Sequence, residues 1–239
     1  MTTQPKVAYI LPNLFTAASI FFGILSLLAS VRGEFEQAGH YIFLSLIADG
    51  LDGRVARLTN TTSRFGMEFD SLADVVAFGV APAMLFYFSI GWFFGKVGVL
   101  VAALFVIFGA IRLARFNIIA NDDEPNVFIG LPIPTAAVFV TTLVLVTLQY
   151  SDFKSAGIAL VVATLAASLL MVSHIRFPSF KKIDFRRANF MKLLVGLIFL
   201  LSLLYLYAIE TLAILTIIYI GYGTTRAFYY RFLRKNRVH

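Results

Sequence analysis

The sequence predicts an all-α integral membrane protein, a helical bundle of about eight transmembrane helices formed by one membrane domain over residues 1–239. Three observations carry this. The chain is 59% hydrophobic and only 14% charged, where a soluble domain carries about 25% charge. Apolar runs of about 20 residues, the length that crosses a hydrocarbon core, recur along it. Its basic residues cluster at one set of run ends, as topology requires and nucleic-acid binding does not.

The first span is placed at about Tyr9 to Val31, followed by the polar loop RGEFEQ. The second covers Ala38 to Leu58, and Asn60 to Arg64 is a polar turn. The third covers Glu68 to Ile90, with Gly79 and Pro82 expected to bend it. GWFFGK leads to the fourth, Val97 to Ile119. A long connection, NDDEPNVFIGLPIP, precedes the fifth at Thr135 to Tyr150, and the sixth covers Ser155 to Ser173. After the basic stretch HIRFPSFKKIDFRRAN come two more, Phe190 to Tyr207 and Ile209 to Thr225. A weak break near residues 208–211 divides this C-terminal pair (about 190–225). A basic tail, 226–239, closes the chain.

With eight spans and an inside N-terminus, seventeen of the 20 Lys and Arg fall on one side, and Arg32, Lys96 and Lys154 on the other. The positive-inside rule makes the richer side cytoplasmic, and with it both termini and residues 49–74. The N-terminus lacks the charged region and cleavage site of a secretory signal. The absence of cysteine removes disulfides, thiolate chemistry and Cys-based zinc sites.

Residues 49–74, DGLDGRVARLTNTTSRFGMEFDSLAD, carry Asp49, Asp52, Asp70 and Asp74. A carboxylate inside a span costs roughly 3 kcal/mol, so four together need a function. At about 100° per residue, Asp49, Asp52, Gly53, Ala56 and Arg57 share one helix face. Gly66, Asp70 and Asp74 follow at i, i+4 on the next helix. A short turn makes the two helices antiparallel neighbours, so the aspartates converge. Asp70 and Asp74 are expected in the first turns of their helix, where the dipole favours anions. Four carboxylates repel unless neutralised, and two Mg²⁺ or Mn²⁺ ions with hard oxygen ligands would cancel the charge. Gly53 and Gly66 admit a bulky ligand to the backbone. Arg57 can fork onto phosphate oxygens. A divalent cation transporter is the rival reading of intramembrane carboxylates.

Written out, the stretch is D-x2-D-G-x2-A-R-x8-G-x3-D-x3-D. It resembles, position for position, the signature of the CDP-alcohol phosphatidyltransferase family. The resemblance implies a membrane enzyme with a six-helix core, often a homodimer, with a metal-dependent site on the cytoplasmic side. Such enzymes transfer a phosphatidyl group from a CDP-linked donor to an alcohol and release CMP. Carried over, Asp49, Asp52, Asp70 and Asp74 hold the metal, and Asp74 is also the general base. Gly53, Ala56, Arg57 and Gly66 line the nucleotide site.

The opening LPNLFTAASIFFG, RLARFN at 112–117 and GLPIP at 130–134 resemble the phosphatidylserine synthase branch. That implies CDP-diacylglycerol and serine as substrates. Arg112 and Arg115, three apart at the end of the fourth span, can each clamp a carboxylate bidentately. Asn13 is a candidate nucleotide contact or backbone turn, with Thr16 a weaker one. His174 reads as interfacial, and Glu68 lies off the Asp70 face. The alternative acceptors are glycerol 3-phosphate, inositol phosphate or choline. A phosphorylated acceptor would need a denser basic pocket, which the tract at 176–187 can supply if it folds under the site.

Overall fold

The computed structural model describes residues 10–119, 127–150, 153–178 and 190–235. Helix α1 (Ile10–Val31) and α2 (Phe35–Leu58) form a hairpin. Its turn is closed by Gly33 at φ 78° and by the Glu34 N–H donating to the Ala29 carbonyl at 2.9 Å. The buried stripe of α1 is made of small or polar residues, among them Thr16, Ser19, Gly23 and Ser26. Leu14, Phe21, Ile24 and Leu28 point outward and are exposed. This inverted pattern suits a bilayer, where lipid takes the large apolar side chains and small residues let helices approach. A Cβ on Gly23 would stand 3.0 Å from the Ala77 Cα.

After α2 the chain reverses through Asn60, at φ 52°, and Thr61 donates its N–H to the Ala56 carbonyl at 2.9 Å. Asn tolerates this left-handed conformation. Ser63 then caps α3 (Arg64–Asp74), its Oγ accepting from the Gly66 N–H at 3.0 Å. The cap starts the helix four residues earlier than the apolar run suggests. Asp70 and Asp74 therefore lie beyond its first turn. The expected dipole contribution is corrected accordingly, because it fades within that turn.

α3 passes without interruption into a π-helical segment, Val75–Val80, and then α4 (Ala81–Ser89). The bend expected at Gly79 and Pro82 takes this form. Pro82 lacks an N–H and its ring crowds the carbonyl four residues back, so the helix widens. The Ala81 N–H reaches back to the Val76 carbonyl, five residues away. A 3₁₀ turn, Gly91–Phe94, leads into α5 (Lys96–Ile119).

Next come strand β1 (Val127–Ile129), α6 (Ile133–Tyr150), α7 (Phe153–Val172) and strand β2 (Arg176–Pro178). β1 and β2 pair antiparallel, with Phe128 opposite Phe177. This short ladder is the one departure from an all-α reading among the described residues. It joins two loops that no helical periodicity marks. The last described elements are α8 (Phe190–Leu206) and α9 (Ala208–Lys235). The weak break between them is real and sits at Tyr207. The basic tail, read as following the last span, instead continues α9 as far as Lys235. RAFYYRFLRK contains no Gly or Pro to stop it.

Among the described residues, five helical spans are by themselves long and apolar enough to cross a membrane: Ile10–Val31, Arg64–Ser89, Lys96–Ile118, Ile133–Tyr150 and Ala208–Ala227. α2 has the length, but its apolar run is broken by the charges of residues 49–57. The core is centred where Phe78, Phe86, Phe105, Ile133 and Met171 are fully buried. α8 packs on α9, and α9 on α6 and β2.

Candidate active site

α1, α2 and α3 wall a polar site at one end of the bundle. Oxygens of Asp49, Asp70 and Asp74 lie within 4.8 Å of one another. One oxygen of Asp70 and one of Asp74, each Oδ1, are buried with no hydrogen-bond partner among the described residues. Three carboxylates this close repel strongly, and buried unpartnered oxygens are costly. A hard divalent cation answers both needs, so the donor set fits one.

Asp52 stands outside that trio. It is buried, and its Oδ2 accepts a hydrogen bond from Thr16 Oγ1 on α1 at 2.7 Å. Below it, Ser19 and Ser45 join the same two helices, Oγ to Oγ at 2.8 Å. The structure thus gathers three of the aspartates closely and ties Asp52, still within electrostatic reach of Asp49 and Asp70, to α1.

The glycines of the signature have neighbours that explain them. The Arg57 guanidinium lies over Gly53, 3.8 Å from where a Cβ would stand. A Cβ on Gly66 would stand 3.2 Å from Ser63 Oγ and 3.5 Å from Asn13 Oδ1. Asn13 and Gly66, far apart in sequence, are thus brought together. Ala56 is half-buried on the Asp52 helix.

The two arginines of α5 differ. Arg112 is buried, within electrostatic reach of Asp74 and Tyr219. Its guanidinium stands 5.6 Å from the Phe116 ring centroid, and its Nε has no partner among the described residues. Arg115 turns away. Its Nη1 donates to the Val172 carbonyl at 3.1 Å. Its Nη2 approaches the carbonyls of Ile129 at 2.9 Å and of Met171 and Ser173 at 3.3 Å. It closes the open C-terminal carbonyls of α7 and fastens them to β1. Gly130, at φ 79°, belongs to this knot: its N–H donates to the Ile175 carbonyl at 2.8 Å, and a Cβ would collide with the Met171 carbonyl.

Residues 9–172 match the sequence model of the CDP-alcohol phosphatidyltransferase family. The chain belongs to this family. Over 219 residues, 91% of each chain, it is 49% identical to the CDP-diacylglycerol–serine O-phosphatidyltransferase of Helicobacter pylori strain 26695. It is 37% identical to the Bacillus subtilis strain 168 protein of the same name, over 72% of this chain and 92% of that one. An archaetidylserine synthase of Methanothermobacter thermautotrophicus is 40% identical over 70% of this chain and 69% of its own.

The family match covers α1 to α7 and ends before α8. Residues 179–187 of the basic tract, considered for a phosphorylated acceptor, lie outside the described residues, as do Lys6 and residues 236–239. His174 is exposed. Thr16, the weaker of the two α1 candidates from sequence, is the one hydrogen-bonded to Asp52. Its signal was faint: a hydroxyl one helical turn after Asn13, on the small-residue face of α1. Ser71 and Asn117 were missed; Asn117 Nδ2 donates to Ser71 Oγ at 3.0 Å and ties α3 to α5. Asn117 ends the RLARFN run, and nothing in that run names its partner.

Proposed function

We propose that this protein transfers the phosphatidyl group of CDP-diacylglycerol to the hydroxyl of serine, giving phosphatidylserine and CMP. The observation that carries the reading is the Asp49–Asp70–Asp74 cluster, in a chain aligned over 91% of its length with a serine O-phosphatidyltransferase.

Asp49, Asp70 and Asp74, with Asp52 beside them, would hold two Mg²⁺ or Mn²⁺ ions. When bound, these would neutralise the diphosphate and the charge that develops at the attacked phosphorus. Asp74 is the general base. Its Oδ1 has a free lone pair for the serine hydroxyl proton. As the serine oxygen bonds to the phosphorus bearing diacylglycerol, the bond from that phosphorus to the CMP oxygen breaks. Arg57, Gly53, Ala56, Gly66 and Asn13 receive the nucleotide. The glycines let it approach the backbone, and Arg57 neutralises the departing phosphate.

Arg112 receives the serine carboxylate. It is a buried cation with an uncommitted Nε, placed beside the base. The sequence makes Arg115 an equal candidate. Its donors meet backbone carbonyls, and we assign it to holding α5, β1 and α7 together. The active site and both termini face the cytoplasm under the positive-inside rule. A homodimer completes the proposal; crosslinking in native membranes tests it.

The direct test uses purified full-length protein in detergent with labelled CDP-diacylglycerol, Mn²⁺ or Mg²⁺, and serine, glycerol 3-phosphate, inositol phosphate or choline in turn. CMP release with serine, abolished by chelation, is the expected result. Release only with another alcohol would overturn serine. Release with none would overturn the enzyme reading.

A further inference from the structure

We propose that Thr16 of α1 is a positioning residue for the divalent-cation site, acting through Asp52. The inference rests on the reading of that site given above. Thr16 is buried at 3% exposure, and Asp52 at 6%. The Thr16 hydroxyl has one proton and two acceptors in reach, the Pro12 carbonyl at 3.3 Å and Asp52 Oδ2 at 2.7 Å. The second distance is that of a charge-assisted O–H···O⁻ bond, the stronger of the two. Back-bonding to the preceding turn, the usual structural use of a helical Thr, is therefore the minor component here.

The bond does what helix geometry cannot. Asp49 and Asp52 differ by three positions on α2, so their side chains diverge by about 60° around the helix axis. Asp49 joins Asp70 and Asp74, while Asp52 points toward α1 and stands outside the trio. An untethered Asp52 could take several rotamers. Thr16 fixes one oxygen, and with it the plane and position of the carboxylate. Ser19 and Ser45, deeper along the hairpin, hold the two helices in register through a mutual bond and through Ser45 Oγ donating to the Ser19 carbonyl at 2.9 Å. Hydrogen bonds that orient metal-ligating carboxylates are commonly worth 10–100-fold in metal affinity.

The test is Mn²⁺ binding, read from the electron paramagnetic resonance signal of free Mn²⁺, without lipid substrate, on full-length protein in detergent. Thr16→Val, which keeps the shape and removes the hydroxyl, should weaken binding about 10–100-fold. Thr16→Ser should restore it to within about threefold. In an Asp52→Asn background, Thr16→Val should have no further effect, since coupled residues are non-additive. Wild-type affinity in Thr16→Val overturns the proposal while leaving the metal site standing. Equal additive losses in both backgrounds overturn it in favour of plain packing. If Thr16→Val fails to fold, Thr16→Ala and Thr16→Ser are compared, and equal affinities overturn it. A wild-type protein that binds no Mn²⁺ overturns the metal reading itself, and the role of Thr16 with it.

Discussion

Arg112 and Arg115 lie three residues apart on α5, near one end of the same helix, yet they serve two different regions. Arg112 lies within electrostatic reach of Asp74, with an uncommitted Nε and an aromatic ring beside it. Arg115 sits at a knot of chain ends, its guanidinium spent on the carbonyls of Ile129, Met171, Val172 and Ser173. The difference lies in what each helix face meets. A helix C-terminus offers several unpaired carbonyls, and a planar guanidinium with five donors can take them all at once. A carboxylate site offers repulsion to be neutralised and leaves the cation partly uncommitted. A basic residue near an active site is thus identified by its acceptors, and proximity alone assigns it nothing.

The largest expected effect lies in the site region. Asp74→Asn should lower kcat about 10³-fold, since it removes the base. CMP release with serine measures it. Full activity in this variant would remove Asp74 from the chemistry.

The arginines give the sharpest contrast. Arg112→Gln should raise KM for serine about 10–100-fold, equivalent to roughly 1.4–2.8 kcal/mol of lost carboxylate recognition, with KM for CDP-diacylglycerol little changed. Arg115→Gln should leave the serine KM within about twofold and lower the thermal midpoint by roughly 5 °C, because buried carbonyls lose their donor. The reverse outcome, a serine defect in Arg115→Gln with unchanged stability, would exchange the two roles.

Within the knot, Gly130→Ala should destabilise by about 2 kcal/mol, since φ 79° suits glycine and the added Cβ meets the Met171 carbonyl. Differential scanning fluorimetry should show the loss, with KM for serine unmoved. The smallest effect is expected from Ser63→Ala at the start of α3. Losing the cap costs about 1 kcal/mol. A slight fall in thermal midpoint should accompany a modest rise in the Mn²⁺ needed for half-maximal rate, because this helix carries Asp70 and Asp74.

Much of the molecule is legible in the sequence. The apolar runs located every long helix described, and their ends were misplaced mainly where a side chain decided them. Ser63 started α3 early, and the Pro82 ring turned an expected bend into a π segment. Within residues 49–74, the 3.6-residue period put Asp49 on one stripe and Asp70 and Asp74 on another. The spacing of the whole stretch pointed to the family that residues 9–172 match.

Local periodicity fixes only where a side chain stands on its own helix. Which stripe of one helix meets which stripe of the next depends on rotation, tilt and separation, and these come from packing the whole bundle. So the sequence by itself determined the helices, the acidic stripes and the signature. Only the tertiary structure decided that three aspartates meet while Asp52 turns to Thr16. It alone decided that Asn13 lies against Gly66, and that Arg112 and Arg115, neighbours on α5, face a charge cluster and a helix end.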